Sequence, residues 1–345
     1  MNINSIFITI FFLSIYIIFK KFNIFIDEAK YSEHKIIGKE NNKPIVLGGI
    51  FLIFVVLLLF DRSYLYLKIF SLSVFLIGHL SDRNYLSSPK IRLVIQIIAF
   101  AFFVFFENLK INSVNINFLD NLLENKYLNL LFIVFCLSVL VNGTNFIDGL
   151  NGLVSGYFLL ILVSILYTAK NPLPDHPILF SDLNLIKILA TSLIIFFIFN
   201  IFGKVYLGDS GSYLVAFLTG YLLIKINLNN NFISPFFVVN MLWYPAFENL
   251  FSLIRRLINN SNISHADRLH LHQLIYRYFR SKKIFNPKII NTFSTFIIIL
   301  FNLPIFIFST NFYYHTKFLI LILVMNLLLY LSLYLLLSKN FKIKK

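Results

Sequence analysis

The segment Asn142-Gly-Thr-Asn145-Phe-Ile-Asp148-Gly-Leu-Asn151-Gly152 is a polar island between two apolar runs, 128–141 and 152–168. Such runs recur along the chain, and most are long enough to cross a bilayer as a helix. Hydrophobic residues make up 58% of the 345 positions and charged residues only 13%, where a soluble domain carries about 25%. Mean hydropathy is +0.80. The runs are apolar throughout and do not alternate, which argues against a β-barrel, since only helices or closed barrels satisfy their backbone in lipid. The chain therefore reads as an all-α integral membrane protein.

Counting the runs predicts about eleven transmembrane helices, near 3–20, 44–60, 64–80, 91–107, 128–141, 152–168, 183–202, 211–227, 233–257, 287–308 and 316–338. No linker or internal repeat interrupts them, so residues 1–345 are expected to form a single polytopic domain. The stretch 255–286 is a long basic loop with a short amphipathic helix. Met1–Phe19 has no basic n-region and no small-residue cleavage site, and reads as an anchor, not a cleaved signal. Cys136 is the one cysteine and lies in an apolar run, which excludes disulfides and cysteine metal sites.

One set of alternate loops, 20–43, 81–92, 142–151, 203–210, 255–288 and 339–345, holds 22 of the 30 basic residues. Basic residues collect on the cytoplasmic side, so the N-terminus is expected outside and the C-terminus in the cytoplasm. The formal net charge of +15 then reflects this bias and attraction to anionic lipid; nucleic acid is excluded as a partner. All the polar islands fall on that same face.

Asn142, Asn145, Asp148 and Asn151 recur every third residue, a spacing that one helical turn brings to one side. Amides and carboxylates offer oxygen ligands to Mg²⁺ and donor–acceptor pairs to a uracil edge. A polar turn capping two helices is the plainer alternative. The second island is Lys204-Val-Tyr-Leu-Gly-Asp209-Ser-Gly-Ser212, just before a helix expected from about residue 211. Free N–H groups at a helix start favour phosphate, and an Asp beside phosphate requires a bridging cation. An Asp–Gly turn with a serine cap reads equally well. Asp82, in Ser81-Asp82-Arg83, could orient or deprotonate a nucleophile, hold metal or pair with Arg83. Arg255 and Arg256 present guanidinium forks for phosphate. Asp267 suits the N-cap of a short helix running toward Arg280, and His270 and His272 do not share a helical face.

Five motifs in order resemble the polyprenyl-phosphate N-acetylhexosamine-1-phosphate transferases: Gly48-Gly49, Ser81-Asp82, the Asn-x-x-Asn-x-x-Asp-Gly island, Gly-Asp-Ser-Gly-Ser and His270-x-His272. The resemblance covers about residues 34–275. It implies an Mg²⁺-dependent enzyme (Mn²⁺ being the alternative) of the bacterial inner membrane, its active site facing the cytoplasm. Undecaprenyl phosphate would attack a UDP-N-acetylhexosamine, releasing UMP and starting O-antigen or cell-wall glycan synthesis. The spaced histidines are more similar to the N-acetylglucosamine branch than to the muramyl-pentapeptide branch.

By position, Asp209 and Asn145 resemble the metal ligands and Asn151 the uracil reader. Asp148 and Asn200 would shape the nucleotide pocket, with Asn142 and Lys204 beside it. Arg255, Arg256, Asp267, His270 and His272 resemble the lid over diphosphate and sugar, and Asp82, Asp148, Asp209 and the two histidines the catalytic set. Membrane lipid is the expected surrounding partner, and a homodimer is possible. The chain departs from the family at Ser81, where an Asp is usual, at Asn200–Lys204, one residue short, at Gln273 in place of a third His, and at Glu248, where Asp is common. Two other classes remain: a transporter with a polar site at one surface, and a catalytically inactive relative, which Ser81 suggests.

Overall fold

The computed structural model describes residues 3–26, 44–172, 182–259, 269–283 and 286–339. In chain order the elements are α1 (Ile3–Phe22), β1 (Ile45–Val46), α2 (Gly48–Leu59), α3 (Leu65–Asp82), α4 (Pro89–Phe106), α5 (Asn117–Leu123), α6 (Lys126–Ile147) and α7 (Leu153–Lys170). They continue with α8 (Leu183–Ile201), β2 (Val205–Tyr206), α9 (Gly208–Asn229), α10 (Pro235–Ile258), α11 (Leu271–Lys282), α12 (Pro287–Asn311) and α13 (Thr316–Lys339). Local chemistry sets several starts. Ser88 accepts the Ile91 N–H ahead of Pro89, and Asn125 accepts those of Tyr127 and Leu128. Ser234 accepts the N–H of Phe236 ahead of Pro235. These are the side-chain caps and first-turn prolines that helix N-termini prefer.

Among the described residues nine helices are long and apolar enough to cross a membrane. The expected eleven thus become nine by length and composition. Gly48–Leu59 is apolar but has only 12 residues, and α10 carries Asn240, Glu248, Asn249, Arg255 and Arg256. Leu300, Leu328 and Leu336 are each more than half exposed, as side chains facing lipid are and those facing water rarely are.

α9 is the axis of the bundle. Of its spanning window 83% is buried, against 11% for α1 and 22% for α13. It packs on α2, α3, α6, α7 and α10, and Gly208, Ser210, Gly211, Ser212, Ala216 and Gly220 keep its surface narrow. Small residues let helix backbones approach where lipid removes the usual hydrophobic drive for association. Pro245 inside α10 cannot donate to the carbonyl of Met241. Tyr157 Oη donates to that carbonyl at 2.8 Å, so the break is satisfied from α7. Gly143 of α6 lies against the same turn, where a Cβ would come 2.0 Å from the Pro245 oxygen.

β1 and β2 pair in parallel, Ile45 with Val205 and Val46 with Tyr206. Each strand runs directly into a helix, so the N-termini of α2 and α9 lie side by side. Three glycines make room for this. A Cβ on Gly49 would lie 2.2 Å from Ser210 Oγ, one on Gly78 2.4 Å from Ser210 Cα, and one on Gly48 2.8 Å from Leu207 Cα. The first residues of α9 sit in a backbone-lined seat that side chains would fill.

Candidate active site

The two islands differ from their expected local structure. α6 runs on to Ile147, so Asn142 and Asn145 lie on its last turns and the loop begins only at Asp148, the residue that ends the helix. α9 begins at Gly208, three residues earlier than expected, which places Asp209 in its first turn. Gly208 has φ +74, a conformation that suits glycine.

Asp82 receives this helix start. Its Oδ1 accepts the Asp209 N–H at 2.7 Å, and its Oδ2 accepts the Ser210 N–H at 3.1 Å and Ser210 Oγ at 2.7 Å. The carboxylate thus caps free N–H groups and opposes the positive end of the α9 dipole. Arg83, one of the partners the sequence offered it, lies over the Phe25 ring at 4.1 Å. Asp209 itself turns toward α3 and α4. Its Oδ2 accepts Ser81 Oγ at 2.6 Å and Arg92 Nη1 at 2.9 Å, and Arg92 also donates to Ser81 Oγ. Ser81 therefore bonds directly to the carboxylate on which the site centres.

The first island meets the second through Ser212. Its Oγ lies 3.4 Å from Asn145 Oδ1 and 3.1 Å from the Asp209 carbonyl. Asn145 and Asp209 are thus neighbours and offer oxygen donors of the hard type. Among the described residues no group of three or more His, Cys, Asp or Glu side chains could hold a metal. A cation here would complete its shell with water or substrate phosphate, as Mg²⁺ commonly does. Asn142 faces another way: its Nδ2 donates to Gln96 Oε1 and to the Ser138 carbonyl, each at 2.9 Å.

Asp148, Gly149, Asn151, Asn200, Tyr206 and Asn291 line a cleft at this end of the bundle. Asn200 is buried and works as a brace. Its Oδ1 accepts the Gly152 N–H at 2.8 Å and Ser155 Oγ at 3.1 Å, while Nδ2 donates to the Val205 carbonyl at 2.8 Å. One amide ties the first island to β2. Lys204 is exposed, with its ammonium over the rings of Phe199 and Phe202 at 5.6 and 5.9 Å.

The histidine segment closes on the first island. His270 occupies the N-cap position of α11 in extended conformation; Asp267, expected in that place, lies outside the described residues. The rings of His270 and His272 stack at 5.6 Å and 10°, so one extended residue brings together side chains that a continuous helix would part. His270 also meets the Phe146 ring at 5.3 Å, and a Cβ on Gly149 would come 2.5 Å from His272 Nε2. Glu248, fully buried in α10, lies 3.0 Å from His270 Nδ1 and accepts the Leu271 N–H at 2.9 Å. Arg255 donates to the Leu269 carbonyl at 2.9 Å and to Tyr334 Oη at 2.8 Å, pinning the same segment to α13. Arg256 is buried.

Gln96, Ser212, Asn291 and Thr295 were not singled out as site residues from the sequence, in which Arg92 reads as a phosphate contact or a plain positive-inside residue. One pair carried a signal: Arg92 and Gln96 on α4 are polar residues four apart in a largely apolar helix, and so share a face. Asn291 and Thr295 carried none, since Thr292 and Ser294 between them make the start of α12 generally polar.

A family model described as Glycosyl transferase family 4 matches residues 64–227. The match takes in Ser81-Asp82, both islands and Asn200, and ends before the histidine segment. A probable undecaprenyl-phosphate N-acetylglucosaminyl 1-phosphate transferase of Bacillus subtilis is 27% identical over 61% of this chain and 58% of its own length. An undecaprenyl-phosphate alpha-N-acetylglucosaminyl 1-phosphate transferase of Thermotoga maritima is 26% identical over 74% of this chain and 76% of its own. A decaprenyl-phosphate N-acetylglucosaminephosphotransferase of Mycolicibacterium smegmatis is 27% identical over 42% of this chain and 39% of its own. The chain therefore spans less than two thirds of the Bacillus and Mycolicibacterium relatives.

Proposed function

We propose, from the match of residues 64–227 to the family model described as Glycosyl transferase family 4, that this membrane protein transfers N-acetylglucosamine 1-phosphate from its UDP derivative to undecaprenyl phosphate. The observation that carries this reading is the direct linkage of segments far apart in sequence. Asp82 bonds the start of α9, Ser212 of α9 bonds Asn145, and His272 rests on Gly149. The transporter reading fits less well, because transporters place such groups near the bilayer midplane on broken helices.

In the proposed reaction an oxygen of the lipid phosphate attacks the sugar-linked phosphorus. A new P–O bond forms, the bond to the UMP oxygen breaks, and UMP leaves with its electron pair. The second pKa of a phosphate monoester is about 6, so the nucleophile is already largely ionised near neutral pH. Catalysis is then mainly positioning and charge compensation. Mg²⁺ (or Mn²⁺), held by Asp209 and Asn145, would neutralise charge on the diphosphate. Arg92, Arg256 and the two histidines supply positive charge or donors around it, while Asp148, Asn151 and Asn200 shape the nucleotide cleft. We assign Asp82 a positioning role: with three hydrogen bonds accepted, it seats α9 and thereby aims Asp209.

The same reading places the site on the cytoplasmic side of a bacterial inner membrane, with the N-terminus outside. It takes eleven crossings, α2 and α10 completing the nine. The support is the collection of 22 of 30 basic residues in one set of loops. Product use in O-antigen or cell-wall glycan, and a homodimeric assembly, belong to the same proposal. The test is purified protein with undecaprenyl phosphate, Mg²⁺ and radiolabelled UDP-N-acetylglucosamine, following butanol-soluble label and UMP. Label from another UDP-sugar alone would change the donor. No label from any donor would leave the inactive relative that Ser81 suggests.

A further inference from the structure

α12 lies outside the residues that the family model matches, yet its first turns hold the island residue at the centre of the cleft from both sides. Asn291 Oδ1 accepts the Asn151 N–H at 2.8 Å, and Thr295 Oγ1 donates to the Asn151 carbonyl at 2.9 Å. Asn200 accepts the next N–H, that of Gly152. Two peptide units are thereby fixed at the cleft floor, a degree of control that a plain helix–helix contact does not need.

Asn291 goes further than Thr295, because it also lines the cleft. Only 5% of it is exposed. Its oxygen is committed to Asn151, while its Nδ2 donates to no side chain or carbonyl recorded among the described residues. That nitrogen is not among the enclosed unpartnered polar atoms and so opens on the cleft, where water or a ligand completes it. The amide cannot flip, since the Asn151 N–H requires the oxygen on its side. The donor is therefore held toward the cleft in a fixed orientation.

We propose that Asn291 reads the nucleobase, its Nδ2 donating to a pyrimidine carbonyl and so favouring uracil over cytosine. This rests on the UDP-sugar reading above and deepens it. Uracil presents a carbonyl acceptor at the ring position where cytosine presents an amino donor. A fixed N–H donor facing that position accepts the first and opposes the second, and sites that hydrogen-bond their substrate discriminate strongly for this reason.

The test is Asn291→Asp in the full-length detergent-purified protein, with UMP and CMP binding measured by calorimetry in the presence of Mg²⁺. The carboxylate still accepts the Asn151 N–H but has lost the donor. The expected result is a fall of at least tenfold in the ratio of UMP to CMP affinity, or about 1.4 kcal/mol. Both ligands carry the same phosphate, so added negative charge cancels in the ratio. A purely structural role would weaken both nucleotides alike and leave the ratio unchanged, and that result overturns the inference. So does wild-type binding that does not prefer UMP. If the wild type transfers sugar phosphate from the UDP donor while the variant's ratio is unmoved, the proposed function stands and only the role of Asn291 falls. If the wild type neither binds UMP nor transfers label, both fall together.

Discussion

The two ends of α9 both carry acids withdrawn at least in part from solvent, and they treat them differently. At the N-terminal end Asp82 and Asp209 bond backbone N–H groups, serine hydroxyls and Arg92. About 24 Å away along the helix, Tyr64 donates to Asp182, and Lys225 bonds Tyr221 Oη at 3.2 Å and approaches Glu107 at 3.9 Å. The glycines separate the two ends. Gly48, Gly49, Gly78 and Gly208 all meet the first end at close approach, while Gly220 touches only leucine methyls of α6. Buried charge alone therefore does not mark a site. Charge beside close-packed backbone and an open cleft does.

The largest expected effect is at Asp209. Asp209→Asn should lower transfer by about 10³-fold or more, the scale seen when a group acting mainly in the transition state is lost. Asp182→Asn should leave turnover within about twofold and instead lower thermal stability, because it weakens the hydrogen bond from Tyr64 at the opposite end of the helix, at about 1–3 kcal/mol. The paired measurement is radiolabel transfer and melting temperature on the same preparations. A transfer loss at Asp182 as deep as that at Asp209 would erase the distinction between the ends.

Glycine substitutions sharpen the comparison without touching charge. A Cβ on Gly78 would meet the Ser210 backbone at 2.4 Å, and one on Gly220 the Cδ2 atoms of Leu137 and Leu140 at 3.0 Å. Backbone cannot yield as a leucine methyl can. Gly78→Ala should cost about 1–3 kcal/mol of overpacking and displace Asp209, lowering transfer with it. Gly220→Ala should be near neutral, its crowding offset by the gain of about 1 kcal/mol in helix propensity.

Asp82 separates seating from chemistry. Asparagine keeps only one of the two accepting oxygens that Asp82 uses, so Asp82→Asn should keep turnover within about tenfold and melt lower, whereas Asp82→Ala, which loses both, should lose about 1–2 kcal/mol. A thousandfold loss in Asp82→Asn with an unchanged melting temperature would instead make the carboxylate a direct participant.

Much of this site was legible because polar residues stand out in apolar runs. The Asn142–Gly152 island, the Gly208–Ser212 turn and the spaced histidines each interrupt such a run, and the structure joins all of them. Direction was harder to read. Asn142 and Asn145 share a spacing, yet Asn142 turns to Gln96 and Asn145 to Ser212, because the helix continues through a stretch that composition marks as loop. Lys204 was expected beside the nucleotide and Arg255 at phosphate, and here aromatic rings and the Tyr334 hydroxyl hold them; such contacts depend on packing between distant helices. Asn291 stayed hidden because a single amide at the start of a membrane helix looks like a cap until its partner across 140 residues is known.

The smallest effect expected is at the far end, and it concerns pH. Glu107 sits just past the end of α4. Burial raises its pKa above the ordinary 4.5, and Asp182 adds to this, while Lys225 pulls the other way. A carboxyl raised on folding prefers its protonated form in the native state, so its stabilising contribution is complete below the ordinary value and is lost as pH rises through the raised one. The wild-type melting temperature should therefore slope downward over the window that begins at about 4.5 and extends upward. Glu107→Gln, which cannot ionise, should flatten that part of the profile and leave sugar-phosphate transfer unchanged. A steeper slope in the variant would mean that Lys225 stabilises the carboxylate more than burial opposes it, and the far end of α9 would then be held by an ion pair.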